Sequence, residues 1–150
     1  MIRDDIKAAQ IAAMKARDTA TVNATRLIQA AIKNRDIELR TASTTPDDDL
    51  TVTEVLQKMI KQRRESIEMF EKGGRQELAD GEKAEVAVIE RFLPQQMTDE
   101  EAGLAIDAIA TELGASSVKD MGRVMAALKE RHAGQLDMSK ASALVKARLG

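Results

Sequence analysis

Lys61-Gln62-Arg63-Arg64-Glu65-Ser66-Ile67, running through Phe70 into Gly73-Gly74-Arg75, is the most informative stretch of this 150-residue chain. Upstream of the glycines, Val52, Val55, Leu56, Met59, Ile60, Ile67 and Phe70 fall on one stripe at helical spacing, with Arg63 inside it. A stripe of this length with charges on the opposite side is an amphipathic helix. Gly73-Gly74 ends it, because glycine accepts the left-handed backbone of a helix C-cap. At the other end, Thr51-x-x-Glu54 has the spacing of a capping box and is expected to start the helix. A guanidinium placed among apolar positions needs a carboxylate, so Arg63 is expected in a buried or half-buried salt bridge.

The same pattern extends in both directions. Ile2, Ile6, Ala9 and Ala13 mark a first helix, and Leu27, Ile28, Ala31, Ile32, Arg35 and Leu39 a second. Ser43-Thr44-Thr45-Pro46-Asp47-Asp48-Asp49 interrupts them as a loop. Beyond the glycines, Leu78, Val86, Ile89, Phe92 and Leu93 form a fourth helix that stops at Pro94. Thr98-x-x-Glu101 is a second capping-box pattern, followed by a stripe of Leu104, Ala105, Ala108, Ile109 and Leu113. Gly114-Ala115-Ser116-Ser117 precedes a short helix with Met121, Val124, Met125 and Leu128, ended by Gly134. Met138, Ala141, Leu144, Val145 and Leu149 mark the last helix. No segment alternates with period two. The expected fold is all-α: an N-terminal helical domain over 1–94 and a small three-helix domain over 95–150.

Composition narrows the chemistry. Hydrophobic residues make up 43% and charged ones 32%, a globular balance. Trp and Tyr are absent and Phe70 and Phe92 are the only aromatics, so the core rests on Ala, Leu, Ile, Val and eight Met. Few aromatics also argue against stacking on single-stranded nucleic acid. The absence of cysteine excludes disulfides, thiolate metal sites and Cys nucleophiles. The start Met1-Ile2-Arg3-Asp4-Asp5 has charge where a secretory signal would need an apolar run, so none is expected there, and no apolar run is long enough to span a membrane. On that basis the expected location is cytoplasmic.

No catalytic constellation emerges. Asp47-Asp48-Asp49 lacks the alternating spacing of a calcium loop and suits a helix N-terminus instead, where negative charge favours the macrodipole. His132 is the only histidine and has no Cys or second His to work with. There is no phosphate-binding Gly-rich loop, and Gly73-Gly74-Arg75 is too short to cradle a nucleotide. No catalytic residue, metal or cofactor is therefore expected.

Two surfaces compete for a binding role. Lys58, Lys61, Gln62 and Glu65 lie on the outer face of the third helix, where Lys61–Glu65, Arg64–Glu68 and Glu68–Lys72 can pair one turn apart. That face is the candidate for docking a protein partner. Residues 96–113 hold five acidic groups and no basic one, whereas residues 114–150 hold seven basic and three acidic. Lys119, Arg123, Lys129, Lys140 and Lys146 in this tail could neutralise phosphates without reading bases, with Gly122 letting a backbone approach closely.

Taken jointly, Met14-Lys15-Ala16-Arg17-Asp18, Arg26-Leu27, Ala31-Ile32-Lys33-Asn34 with Glu38, and Lys61 to Ile67 resemble the YqeY-like (GatB/YqeY domain) family. Gly73-Gly74-Arg75, Leu93-Pro94-Gln95-Gln96-Met97 and Asp120-Met121-Gly122-Arg123-Val124-Met125 extend the resemblance over the whole chain. Arg123 stands where the family commonly has Lys, and Gly134-Gln135-Leu136-Asp137 follows its turn only loosely. The family shares its C-terminal half with the tail of the B subunit of the tRNA-dependent Asp/Glu-tRNA amidotransferase. The resemblance implies a helical N-terminal domain, a three-helix tail, and contact with tRNA or a tRNA-modifying or aminoacylating enzyme. Amide transfer belongs to other domains of the longer enzyme, so a carbon–nitrogen ligase label with glutamine as donor would be inherited. The expected function is a non-catalytic tRNA-binding or tRNA-amidotransferase-related accessory protein, with a helical protein–protein adaptor without RNA binding as the alternative. Neither a membrane nor DNA is expected as partner.

Overall fold

A computed structural model describes residues 1–42 and 47–150. Among these residues the chain forms seven α-helices, one short 3-10 turn and no strand: α1 (Ile2–Ala16), α2 (Thr19–Leu39), α3 (Asp48–Lys72), α4 (Gln76–Glu90), α5 (Asp99–Leu113), the turn Val118–Asp120, α6 (Met121–Arg131) and α7 (Met138–Leu149). The chain divides into two compact units, Met1–Leu93 and Pro94–Gly150.

In the first unit, α1 and α2 form a hairpin whose corner is Arg17-Asp18. Arg17 takes the left-handed conformation (φ 56°) that closes α1, and the Asp18 carboxylate accepts from the Thr21 N–H to open α2. The core joins Ile6 of α1, Ile28 and Ile32 of α2, Val52, Leu56, Met59 and Ile60 of α3, and Val86 and Ile89 of α4. Four threonines, Thr21, Thr25, Thr51 and Thr53, are also buried. Thr25 Oγ1 donates to the Thr21 and Val22 carbonyls (2.8 and 2.9 Å), and Thr53 Oγ1 to the Asp49 carbonyl (2.7 Å). The helix backbone thereby satisfies hydroxyls that would otherwise be costly to bury.

Arg3 joins three helices. Its Nη1 and Nη2 donate to the two Asp36 carboxylate oxygens at 2.8 and 3.0 Å, while Nη2 and Nε donate to Asp48 at 2.8 and 3.3 Å. The Asp run therefore has a structural occupation. Asp47 caps α3 by accepting from the Leu50 N–H (3.0 Å), Asp48 holds Arg3, and Asp49 accepts from the Ile2 N–H (3.0 Å). This also corrects the expected start of α3. Thr51 and Glu54 lie inside the helix, and Asp47 is its cap. Of the expected loop, Ser43–Pro46 lie outside the described residues.

Arg63 meets its expected carboxylate. Only 15% of its side chain is exposed, and Nε donates to Glu85 of α4 at 2.8 Å, with Glu82 3.9 Å away. Gly74 supplies the left-handed residue (φ 72°) between α3 and α4.

In the second unit, α5, α6 and α7 enclose Ile106, Ile109, Val124, Leu128, Leu136, Ala141, Val145 and Leu149. Thr98 caps α5, its Oγ1 accepting from the Glu101 N–H at 3.1 Å. The inward face of α5 is rotated from the expected one. Ala102, Gly103, Ile106 and Ile109 are buried, whereas Leu104 is 70% exposed. Ala102 and Ile106 share the core side of the helix with Ile109, which turns Leu104 outward. The Arg148 guanidinium of α7 covers Gly103 where a Cβ would stand, and its Nε reaches Asp107 at 3.4 Å.

Candidate functional site: an α2–α3 groove and a basic tail

Two amphipathic helices side by side leave a furrow wherever their facing residues are small or polar, and α2 and α3 do so here. Between them runs a groove of about 410 Å³. Ala31, Val55 and Met59 make an apolar floor. Asn34, Arg35 and Glu38 form the α2 wall, and Glu54, Lys58 and Gln62 the α3 wall. Arg35 and Glu38 are engaged with each other at 2.8 Å. Among the described residues, the side chains of Asn34, Glu54, Lys58 and Gln62 have neither a hydrogen bond nor an ion pair. Two amides, one carboxylate and one ammonium thus face solvent over an apolar floor. The formal charges of the lining (Arg35 and Lys58 against Glu38 and Glu54) cancel.

Of the four expected docking residues, Lys58 and Gln62 line the groove, while Lys61 and Glu65 lie exposed beyond its rim. The groove also gathers Asn34 and Glu38, which sequence reading connected only to a family resemblance. The expected one-turn pairs are partly replaced. Lys72 and Glu68 pair at 2.9 Å, but Arg64 reaches across to Glu90 of α4 (3.0 Å). Lys61 and Glu65 do not pair.

The basic tail looks different once folded. The acidic α5 packs against α6 and α7 and brings its carboxylates to their cations. Arg131 makes a bidentate pair with Glu112 (2.6 and 2.8 Å), Lys140 reaches Asp99 (2.7 Å), and Arg148 reaches Asp107. Arg123 pairs with Asp120 (2.7 Å) at the start of its own helix. Hydrogen bonds from Arg131 hold the Glu112 carboxyl below the usual range. Asp120 is lowered by Arg123 first and by the Ser116 N–H second. The unit from Pro94 carries Asp99, Glu100, Glu101, Asp107, Glu112, Asp120, Glu130 and Asp137 against Lys119, Arg123, Lys129, Arg131, Lys140, Lys146 and Arg148, eight acids to seven bases. The local surplus of positive charge is thus neutralised in three dimensions. Lys119, Lys129 and Lys146 remain exposed without a carboxylate partner among the described residues. Gly122 is exposed too, with open space where a Cβ would stand.

No group of three His, Asp or Glu side chains among the described residues could hold a metal. His132 Nδ1 lies 3.0 Å from Gln135 Oε1 at the end of α6. Among the described residues no helix is long and apolar enough to cross a membrane.

The family model for Yqey-like proteins matches residues 3–149, nearly the whole chain. The chain belongs to the YqeY-like family. YqeY-like relatives among curated proteins carry the name altered inheritance of mitochondria protein 41, mitochondrial. The one from Eremothecium gossypii is 34% identical over 115 residues, covering 75% of this chain and 58% of the relative. Those from Saccharomyces cerevisiae (28%, covering 79% and 64%) and Lachancea thermotolerans (30%, covering 77% and 59%) are similar in the same way. The YqeY-like chain spans about three-fifths of the length of these relatives. Their names correct the cytoplasmic expectation, since proteins of this similarity are named as mitochondrial. The physical reason is that an organelle-directing leader is a basic amphipathic segment without an apolar run, so lacking a secretory signal does not assign a protein to the cytoplasm.

Proposed function

We propose that this YqeY-like chain is a non-catalytic accessory protein that works by docking onto another polypeptide through the α2–α3 groove and the outer face of α3. The observation that carries this reading is the groove: unpartnered Asn34, Glu54, Lys58 and Gln62 above a floor of Ala31, Val55 and Met59. An amphipathic helix laid there would cover the floor while its polar edge met the amides and charges of the rim. A lining whose charges cancel favours a near-neutral protein surface over a polyanion. Affinity capture from a nuclease-treated extract tests it. The expected result is a partner retained after RNA is destroyed and lost with Lys58→Glu/Gln62→Glu. Loss of every partner on nuclease treatment would overturn it.

A second reading keeps the resemblance to the amidotransferase tail and assigns tRNA as partner. It is favoured by Lys119, Lys129 and Lys146, whose ammonium groups carry no competing carboxylate. On this reading tRNA binding weakens steeply with salt as phosphate counterions are released. Lys119→Glu/Lys129→Glu/Lys146→Glu abolishes it, and Arg123→Glu/Lys140→Glu weakens it less, because those cations are already paired. Equal binding by wild type and the triple variant across a salt series would sink it. Glutamine-dependent amide transfer by the purified chain is not expected on either reading.

A further inference from the structure

We infer that α3 pairs with α3 of a second copy of this chain, antiparallel, through its outer charged stripe. The inference rests on reading the outer face of α3 as a docking surface, and it names the occupant of that face.

Glu54, Lys58, Lys61, Glu65, Glu68 and Lys72 are all exposed. They recur at spacings of four and three residues, so they line one side of the helix. Along the stripe the signs read minus, plus, plus, minus, minus, plus. Turned end to end about Arg63, the stripe faces itself with Glu54 opposite Lys72, Lys58 opposite Glu68, and Lys61 opposite Glu65. Every facing pair is of opposite sign, and two-fold symmetry makes each pair twice. At 1.5 Å per residue the seam is about 27 Å long.

Within one chain this stripe is only partly satisfied. Glu68 and Lys72 pair at 2.9 Å, while Glu54, Lys58, Lys61 and Glu65 have no ion-pair partner among the described residues. Met69, 73% exposed, borders the seam and supplies apolar surface that a second helix would cover. Pairs of this kind are individually weak and screened by salt, so the complex is a reversible, low-salt dimer.

Sedimentation equilibrium of the full chain between low and high salt tests the proposal. The expected result is a monomer–dimer equilibrium whose association constant falls about tenfold or more as salt shortens the screening length from roughly 20 Å to below 5 Å. Lys58→Glu and Glu68→Lys each place like charges opposite one another twice and should abolish the dimer. The double variant Lys58→Glu/Glu68→Lys restores opposite signs in the same register and should restore it. Residues 58 and 68 lie nearly three turns apart on one helix, so this rescue cannot arise within a chain. All these positions are exposed, and far-UV circular dichroism verifies that the variants remain helical.

A monomer at millimolar concentration and low salt, a dimer indifferent to Lys58→Glu, or failure of the double variant to recover would each overturn the pairing. If a monomeric chain still captures a foreign partner that Lys58→Glu/Gln62→Glu releases, self-pairing is refuted while the docking reading stands.

Discussion

Removing the Arg3 guanidinium tests whether the first unit is held by its core alone or also by the polar clamp across α1, α2 and α3. Arg3 makes four N–H···O contacts between 2.8 and 3.3 Å to Asp36 and Asp48. Bidentate arginine–carboxylate pairs are stronger than single ion pairs, but 38% of the Arg3 side chain is exposed, which discounts them. Arg3→Ala also leaves two carboxylates from different helices close together. The expected cost is about 1–2 kcal/mol, from the upper end of surface pairs plus this repulsion. That lowers Tm by roughly 5–10 °C for a unit of this size.

The chain has no Trp or Tyr, so amide hydrogen exchange at the buried Ile28 and Ile32 is the better probe, with protection falling about tenfold per 1.4 kcal/mol. The pH dependence has a definite sign. Hydrogen bonds from Arg3 lower the Asp36 pKa below its ordinary value of 3.8, so this stabilisation is complete above about pH 5 and is lost as pH falls through the lowered value. The difference between wild type and Arg3→Ala should therefore be full at pH 6 and shrink below pH 4. A cost under about 0.3 kcal/mol, or no coupling between Arg3→Ala and Asp36→Asn in a double-mutant cycle, would refute the clamp.

Three further outcomes are expected. Arg63→Ala strips Glu85 and Glu82 of their cation at a half-buried site and should cost about 2 kcal/mol by urea titration, while Arg63→Met, which keeps the packing, should cost less. Leu128→Ala empties a fully buried position of the small second unit at a cost of about 3 kcal/mol, and exchange protection in α5–α7 should collapse before that in α1–α4. Arg17→Gly relieves a left-handed non-glycine residue and should raise stability by about 0.5–1 kcal/mol in thermal melts, whereas Arg17→Val should lower it.

Local chemistry made most helices legible, because stripe spacing, capping residues and glycine or proline stops act within one turn of the chain. Arg63 was legible for a related reason: a charge in an apolar stripe has few affordable fates, and an ion pair is the main one. The corner at Arg17-Asp18 was not, since arginine gives no signal for left-handed backbone and only the packing of α1 on α2 imposes it. The inward face of α5 was not legible either, because helical spacing admits a stripe through Leu104 as well as the buried one through Ala102, Ile106 and Ile109. Ile106 occupies the core side instead, and Gly103 is covered by the guanidinium of Arg148, a residue 45 positions away.

The candidate site divides along the same line. The sequence placed Lys58, Lys61, Gln62 and Glu65 on one exposed helix face, because helical periodicity alone orders residues around an axis. Only the packing of α2 beside α3 brings Asn34 and Glu38 opposite Lys58 and Gln62, and makes a groove of them. Charge shows the contrast most sharply. A count along residues 114–150 finds a positive segment, but electrostatic energy depends on distance in space. Folding α5 against α6 and α7 sets Asp99, Asp107 and Glu112 beside Lys140, Arg148 and Arg131, which cancels most of that surplus.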